Sequence, residues 1–390
     1  MSLTIELTVA NEPAPQNVYD AISQLEVEES SEQPGTLLLT LRARRTASGD
    51  LQFVGDGLFE PLTNITVTLA HEDPFRKQRT AQCVFDGYAL SWRLHLGTRT
   101  SPASTIDILA QDASWLMNID DQIVEWSGVT DGEIANAIFS KYGFAPSDAN
   151  TDSDSARHTP ETHTVLQRAT DLQFLRGLAR RGGKLCRVAC TNVPGRRTGY
   201  FALPIVSGPP VATIRGGLNP YGITPLEFEW DVMRPTVVQA SQVDLAGSSQ
   251  TGTNVAASSS GLGALDARPY PAYLGRSSTL QLTAPADVPE LTQRTKAVLI
   301  ESGFFSRCTG EALTEEVGAI LRVGDVVTID GAGQLQSGHW LVWNVRYTFT
   351  PDPERRGRRA SRMAFTLVRN AVGPSSRVNR ALVSLAAALA

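Results

Sequence analysis

Histidine, the side chain whose ordinary titration lies nearest neutral pH, is present in this 390-residue chain only as His71, His95, His158, His163 and His339. Hydrolytic or metal chemistry near neutral pH would concentrate at these positions, beside carboxylates or a nucleophile. His71-Glu72-Asp73-Pro74 lies in a Pro-bearing turn between strands, where charged residues are the normal solvated choice. His158 and His163 flank Pro160 in a loop that also carries Asp148, Asp152, Asp154 and Glu161. That set has the donor types of a metal site, but His-x4-His in a loop is a weak ligand spacing. His95 lies in an alternating strand and His339 just before an aromatic one, and both positions read as structural. No G-x-S-x-G elbow, H-E-x-x-H helix, G-x-G-x-x-G turn or Walker loop occurs. Carboxylate pairs for glycan cleavage are defined by distance in space, and no pair stands out along the chain. The sequence therefore nominates no catalytic, cofactor-binding or metal-binding residue, and no cofactor.

The four cysteines, Cys83, Cys186, Cys190 and Cys308, are too sparse for a disulfide-stapled secreted fold. Cys186 and Cys190 share one face of an expected strand, 185–190, and no further ligands follow at zinc spacing. Buried thiols in a reducing compartment is the reading they support. Arg355, Arg356, Arg358, Arg359 and Arg362 form one basic cluster, read as a solvated hairpin tip; its functional alternative is a salt-sensitive contact with an acidic partner. With a net charge of −5 and both signs interspersed, the chain lacks the basic surface that nucleic acid requires. Hydrophobic residues at 42% and charged residues at 19% describe a globular protein with real cores. The N-terminus alternates apolar and polar residues instead of opening like a signal peptide, and no run is long enough for a membrane span. Synthesis and folding in the cytoplasm are expected.

The elements that would carry these residues are mostly β. Short β-branched and apolar segments at 36–41, 52–54, 65–69 and 82–85 are divided by the turn residues 33–35, 48–50 and Asp86-Gly87. Longer strands follow at 89–96 and 104–109, so the first 115 or so residues predict a barrel or sandwich. Thr130-Asp131-Gly132-Glu133 is a capping box opening a helix with Ile134, Ala137, Ile138 and Tyr142 on one face. A second helical stretch is expected over 164–181, with Thr170 or Asp171 capping its latter part, before strands at 184–189 and 199–203. The Ser/Gly-rich residues 245–267 read as a long surface loop, followed by a helix with Asp287 near its start. Strands at 226–230, 326–329, 340–345 and 363–368 make a second β region, and the apolar tail 376–390 reads as a short helix.

Several of these segments resemble the phage late control protein D family and the hub portion of VgrG-type spike proteins. The helix-and-glycine segment Asp171-Leu172-Gln173-Phe174-Leu175-Arg176-Gly177-Leu178-Ala179-Arg180-Arg181-Gly182-Gly183 is similar to that family's. Val84-Phe85-Asp86-Gly87, a strand pair and Asp112-Ala113-Ser114-Trp115-Leu116-Met117 resemble the end of its first barrel. Leu321-Arg322-Val323-Gly324-Asp325-Val326-Val327-Thr328-Ile329-Asp330-Gly331, with 338–347 after it, resembles a strand pair of the second barrel. The resemblance implies a mainly β fold: two tail-tube-like antiparallel β-barrel domains plus a small α/β domain. The boundaries follow as 1–115 for the first barrel, 116–205 for the α/β domain, and 206–240 with 300–375 for the second barrel. An insertion at 241–299 and the helical tail 376–390 complete the division.

By the same resemblance the function expected is a structural, non-enzymatic baseplate hub of a contractile phage tail-like injection system. Three copies would form a ring adapting a six-fold tail tube to a three-fold spike. The partners implied are a homotrimer, a spike protein, the tail tube or its initiator and other baseplate proteins, without nucleic acid or membrane insertion. VgrG-type proteins continue into a needle, and no such repetitive strand region occurs in this sequence. The alternatives are a tail-associated peptidoglycan hydrolase and a glycan-binding β protein; the latter would present a surface cluster among the six tryptophans.

Overall fold

The computed structural model describes residues 2–55, 57–72, 79–97, 103–150, 157–159, 165–216, 226–243, 250–256, 260–266, 268–269, 279–283, 288–351 and 359–373. The expected C-terminal helix, His163 and the arginines 355, 356 and 358 lie outside these residues.

The first β half comprises β1 (Ser2–Val9), β2 (Glu12–Pro13), the short helix α1 (Gln16–Ala21), β3 (Ile22–Ser30), β4 (Thr36–Ala43), β5 (Asn64–Glu72), β6 (Arg79–His95) and β7 (Ser104–Asp112). In β4 the period of two is plain: Leu37, Leu39 and Leu41 are buried, while Thr36 and Arg42 face solvent. Two expectations fail here. Residues 52–54 are not a strand: Phe53 has a left-handed backbone (φ 68°), and its buried ring packs edge-on against Phe59 in a turn. Nor does Asp86-Gly87 form a turn, because β6 runs straight through it. A Cβ on Gly87 would lie 2.0 Å from the Gln111 carbonyl oxygen, so this glycine serves a close approach of β6 to β7.

The β7 end is clamped by Asp112. Its Oδ1 accepts from the Ser114 N–H at 3.0 Å and the Ser114 hydroxyl at 2.5 Å, and its Oδ2 accepts from the Gly35 N–H. Burial raises this carboxyl to about 6, against the lowering effect of those donors. Because the folded value lies above the unfolded one, the stability tied to this proton is complete below the ordinary carboxyl range. It is lost as pH rises through about 6. A carboxyl NMR titration should find the Asp112 midpoint near 6, and Asp112→Asn should remove that part of the stability-versus-pH slope; a midpoint near 4 would refute the assignment.

A 3-10 turn, Ala113–Asn118, leads into the α/β segment: β8 (Asp121–Trp126), α2 (Asp131–Lys141), β9 (Ala145–Pro146), β10 (Val165–Thr170), α3 (Asp171–Arg181), β11 (Leu185–Cys190) and β12 (Arg197–Ala202). The capping box forms: Glu133 N–H donates to Thr130 Oγ1 at 3.2 Å, and Thr130 N–H to Glu133 Oε2 at 2.9 Å. Thr130→Ala should therefore cost about 1 kcal/mol in denaturant unfolding; a neutral result would show the cap to be redundant. The helix expected over 164–181 is half strand. Val165 and Gln167 are buried and alternate with exposed Leu166 and Arg168, and the segment pairs antiparallel with β8. The helix begins only at Asp171, where Thr170 Oγ1 accepts from Gln173 N–H at 3.3 Å. Ile134, Ile138, Phe139, Leu172, Leu175, Leu178 and Phe201 share one buried cluster of this segment.

The chain continues through β13 (Ala212–Arg215), β14 (Glu227–Trp230), β15 (Val237–Val243), β16 (Gln250–Ala256), β17 (Arg268–Pro269), β18 (Thr279–Thr283) and the helix Val288–Gly303. The last strands among the described residues are β19 (Ser306–Leu313), β20 (Val326–Asp330), β21 (Gly338–Pro351), β22 (Arg359–Arg369) and β23 (Ala371–Val372). The Ser/Gly-rich stretch is thus not all loop. β16 pairs antiparallel with β15, which pairs parallel with β18, so the ladder satisfies backbone groups that the side chains could not order alone. The long helix covers this small sheet, with Leu299 on Val238 and Leu291 on Ala240.

The fold is mostly β with large antiparallel sheets. Its main sheet runs β14-β19-β22-β21-β3-β4-β7-β6-β5-β1-β2, and β13 and β20 attach at β21. The described strands leave it open, without a closed barrel, and β13 pairs with β20 in parallel. The β21–β3 pairing, from Asn344↔Ser30 to Phe349↔Leu25, makes one sheet of the two β halves, with a core reaching from Leu7 to Leu367.

Candidate functional site at the junction of the β halves and the α/β segment

The residues nominated by type do not converge. His95 is exposed and bonds Asp107 at 3.0 Å; His158 is buried and meets Asp131 at 2.7 Å; His71 lies in β5 and His339 in β21. Among the described residues no three His, Cys, Asp or Glu side chains are placed to hold a metal ion. The tryptophans are equally dispersed. Trp340 is fully buried with its Nε1 on Gln336 O at 2.9 Å, Trp126 bonds Gln167 at 3.0 Å, and Trp92 is exposed on β6. Arg362 faces Glu311 across a strand pair at 3.0 Å. No helix among the described residues is long and apolar enough to cross a membrane.

What does converge is a charged cluster where the first β half, the second β half and the α/β segment meet. Glu29, on β3, takes Arg322 Nε at 2.7 Å and Nη2 at 3.1 Å, Arg187 Nη1 at 3.1 Å and the Val323 N–H at 3.2 Å. Burial alone would raise its carboxyl, but the two guanidiniums hold it below the ordinary range. Burial likewise opposes the Arg322 charge, and Glu29 more than restores it, holding that guanidinium well above its ordinary value. Arg187 also lies over the Tyr200 ring, 4.6 Å from its centre. Arg322 then reaches the Cys83 carbonyl with Nη1 and the Cys190 sulfur with Nη2, the latter at 3.5 Å. β6 and β11 are thereby tied together.

A second ion pair crosses the same junction. Asp86, fully buried on β6, accepts from Arg197 Nη2 at 2.6 Å, Gly195 N–H at 3.0 Å and Asn64 Nδ2 at 3.0 Å. Arg197 also donates to the Tyr88 hydroxyl at 2.9 Å. The arrangement ties three parts of the chain together through charged groups that pair with one another. By residue type Asp86-Gly87 reads only as a turn, which β6 does not make, and nothing in it points to this ion pair. Glu29 carried no mark either, because its partner Arg322 is 293 positions away.

Beside the junction lies a cleft of about 500 Å³ between α3, β11 and the helix Val288–Gly303. Arg176, Arg180, Lys184, Arg234 and Arg307 line it, against Glu32 and Glu301, so it favours anionic groups.

No family model and no curated protein matches the sequence. Among solved structures, the 43 kDa tail protein of prophage MuSo2 from Shewanella oneidensis superposes with a TM-score of 0.62 at 14% identity, over 95% of this chain and 99% of that one. The tail protein from Neisseria meningitidis MC58 gives 0.62 at 10% identity, over 95% and 97%. This chain has the phage tail protein fold. The same fold extends to an Escherichia coli component of the type VI secretion system with structural similarity to the T4 tail proteins gp27 and gp5. There the TM-score is 0.51 at 10% identity, over 97% of this chain and 80% of that one. At such identities the likeness to the tail proteins is one of fold.

Proposed function

We propose that this chain is a structural, non-catalytic baseplate hub of a contractile phage tail-like injection system. Three copies form a ring that adapts a six-fold tail tube to a three-fold spike. The observation that carries the reading is the full-length fold match to the MuSo2 tail protein, over 95% of one chain and 99% of the other. The reading takes residues 1–115 as one tube-like domain and 206–240 with 300–375 as the other, so that a trimer supplies six such domains; the β21–β3 pairing that joins the two β halves supports it. The α/β domain 116–205 stands between them, and the insertion 241–299 splits the second. β14 at one end of the main sheet pairs with β19 alone among the described strands, and such an edge suits pairing with a neighbouring copy. The ribbon of β8 and β10 presents Ile123, 82% exposed, and Leu166 on its outer face, which suits burial against a partner. The partners are a spike protein, the tube or its initiator and other baseplate proteins; synthesis takes place in the cytoplasm and assembly in the particle.

Light scattering on the full chain tests the ring. Three copies of 42.0 kDa weigh about 126 kDa, and that species is expected at high protein concentration. A mass that stays at one chain, even with a candidate spike protein added, would overturn the trimer.

A further inference from the structure

Cys83 and Cys190 belong to different parts of the chain, 107 positions apart, yet Cys190 Sγ lies 3.1 Å from the Cys83 carbonyl oxygen. Their side chains share a hydrogen bond. The Arg322 guanidinium sits over both, 3.5 Å from Cys190 Sγ and bonded to the Cys83 carbonyl. We propose that this pair is an oxidation site: a hydroperoxide converts it to a disulfide that staples the α/β segment to the first β half.

The two sulfurs are chemically unequal. The hydrogen bond from Cys83 and then the Arg322 charge favour the Cys190 thiolate, against burial and the Glu29 and Asp86 carboxylates, and its net shift is downward. The same hydrogen bond, with burial, pushes the Cys83 thiol far up. Exposure divides them the same way: Cys190 is partly exposed and Cys83 buried. Cys190 is therefore the attacking sulfur and Cys83 the resolving one. Cys186 and Cys308 are buried, and burial raises each to about 12, which makes them unreactive comparators within the same molecule.

The steps balance. The Cys190 thiolate attacks one peroxide oxygen, the O–O bond breaks, and the departing alkoxide or hydroxide takes up the proton released from the Cys190 thiol. Cys190 is left as sulfenic acid. The Cys83 sulfur then attacks the Cys190 sulfur, an S–S bond forms, the S–O bond breaks, and the hydroxyl leaves with the Cys83 proton as water. Two thiols and one hydroperoxide give one disulfide, one alcohol and one water, the thiols supplying both electrons. A reducing cytoplasm keeps the pair open and an oxidising surrounding closes it.

The test uses the full chain, fully reduced, then treated with one equivalent of hydrogen peroxide, alkylated and mapped by mass spectrometry. Alkylatable thiols should fall from four to two, with a Cys83–Cys190 linked peptide that dithiothreitol abolishes. The thermal midpoint should rise by several degrees, because the bond closes a long loop in the unfolded chain. In Cys83→Ser, Cys190 should stop at sulfenic acid and be trapped by dimedone; in Cys190→Ser, Cys83 should remain a free thiol. Over-oxidation of Cys190 in the unaltered chain with Cys83 still free, or reaction at Cys190 no faster than at Cys186 and Cys308, would overturn the proposal.

Discussion

Glu29→Met is expected to lower folding stability by roughly 3–5 kcal/mol, the cost of leaving a buried charge without its partner. It would leave the Arg322 and Arg187 guanidiniums facing one another with no carboxylate between them. The loss would be a large share of a typical stability of about 5–15 kcal/mol. Removing Arg322 as well should recover much of it, since an apolar replacement of the whole pair avoids the uncompensated charge. Chemical denaturation of both single variants and the double variant measures the coupling. A single-variant loss under about 1 kcal/mol would place Glu29 among ordinary surface ion pairs.

The second large effect is expected at Asp266, which faces Arg369 at the fully buried start of the β22–β23 connection. Asp266 Oδ2 takes the Arg369 Nη2 and, at 2.9 Å, the His339 N–H. Arg369 also donates to Leu335 O at 3.0 Å and Ser337 O at 3.1 Å, and lies over the Trp340 ring. Burial lowers the Arg369 pKa and Asp266 works against that, so Asp266→Ala strands a guanidinium with carbonyls alone. We expect a loss of about 3–5 kcal/mol. Amide exchange in residues 260–266 should also accelerate sharply. Unchanged protection there would mean that Leu262 and Leu265, packed beside Phe304, hold the segment without the ion pair.

Much of the strand inventory was legible because burial on one face writes a period of two into residues such as Leu37, Leu39 and Leu41. The capping box at Thr130 and Glu133 was equally direct, since both halves of the contact lie within one turn. What misled were residues whose role depends on a distant neighbour. Gly87 reads as a turn unless β7 is known to press against it. Val165-Leu166-Gln167-Arg168 reads as the front of a helix until β8 is there to pair with it. Residues 250–256 look too polar to order, and are held by β15. β3 was not picked out at all, although Leu25 and Val27 alternate with Glu26 and Glu28, because its glutamates look solvated. Those carboxylates instead meet Arg346 and Arg322, neither of them near in sequence. The histidines and tryptophans, prominent by type, proved scattered. The junction that unites the chain is built of arginines and carboxylates, whose abundance hides them.

The pairing of β3 with β21 also sets an order of events at the ribosome. Ser31 donates to the Trp343 carbonyl 312 positions later, so the edge of β3 emerges long before its partner exists. At about 5–20 residues per second, the wait is roughly 15–60 s. During it, a nascent chain carries an open strand edge flanked by the buried face of β4, the kind of surface that invites pairing with other chains. The glutamates at 26, 28 and 29 are then the nascent chain's protection, since repulsion between like charges discourages two such edges from meeting. The same carboxylates become the docking points for Arg346 and Arg322 once the C-terminal strands arrive.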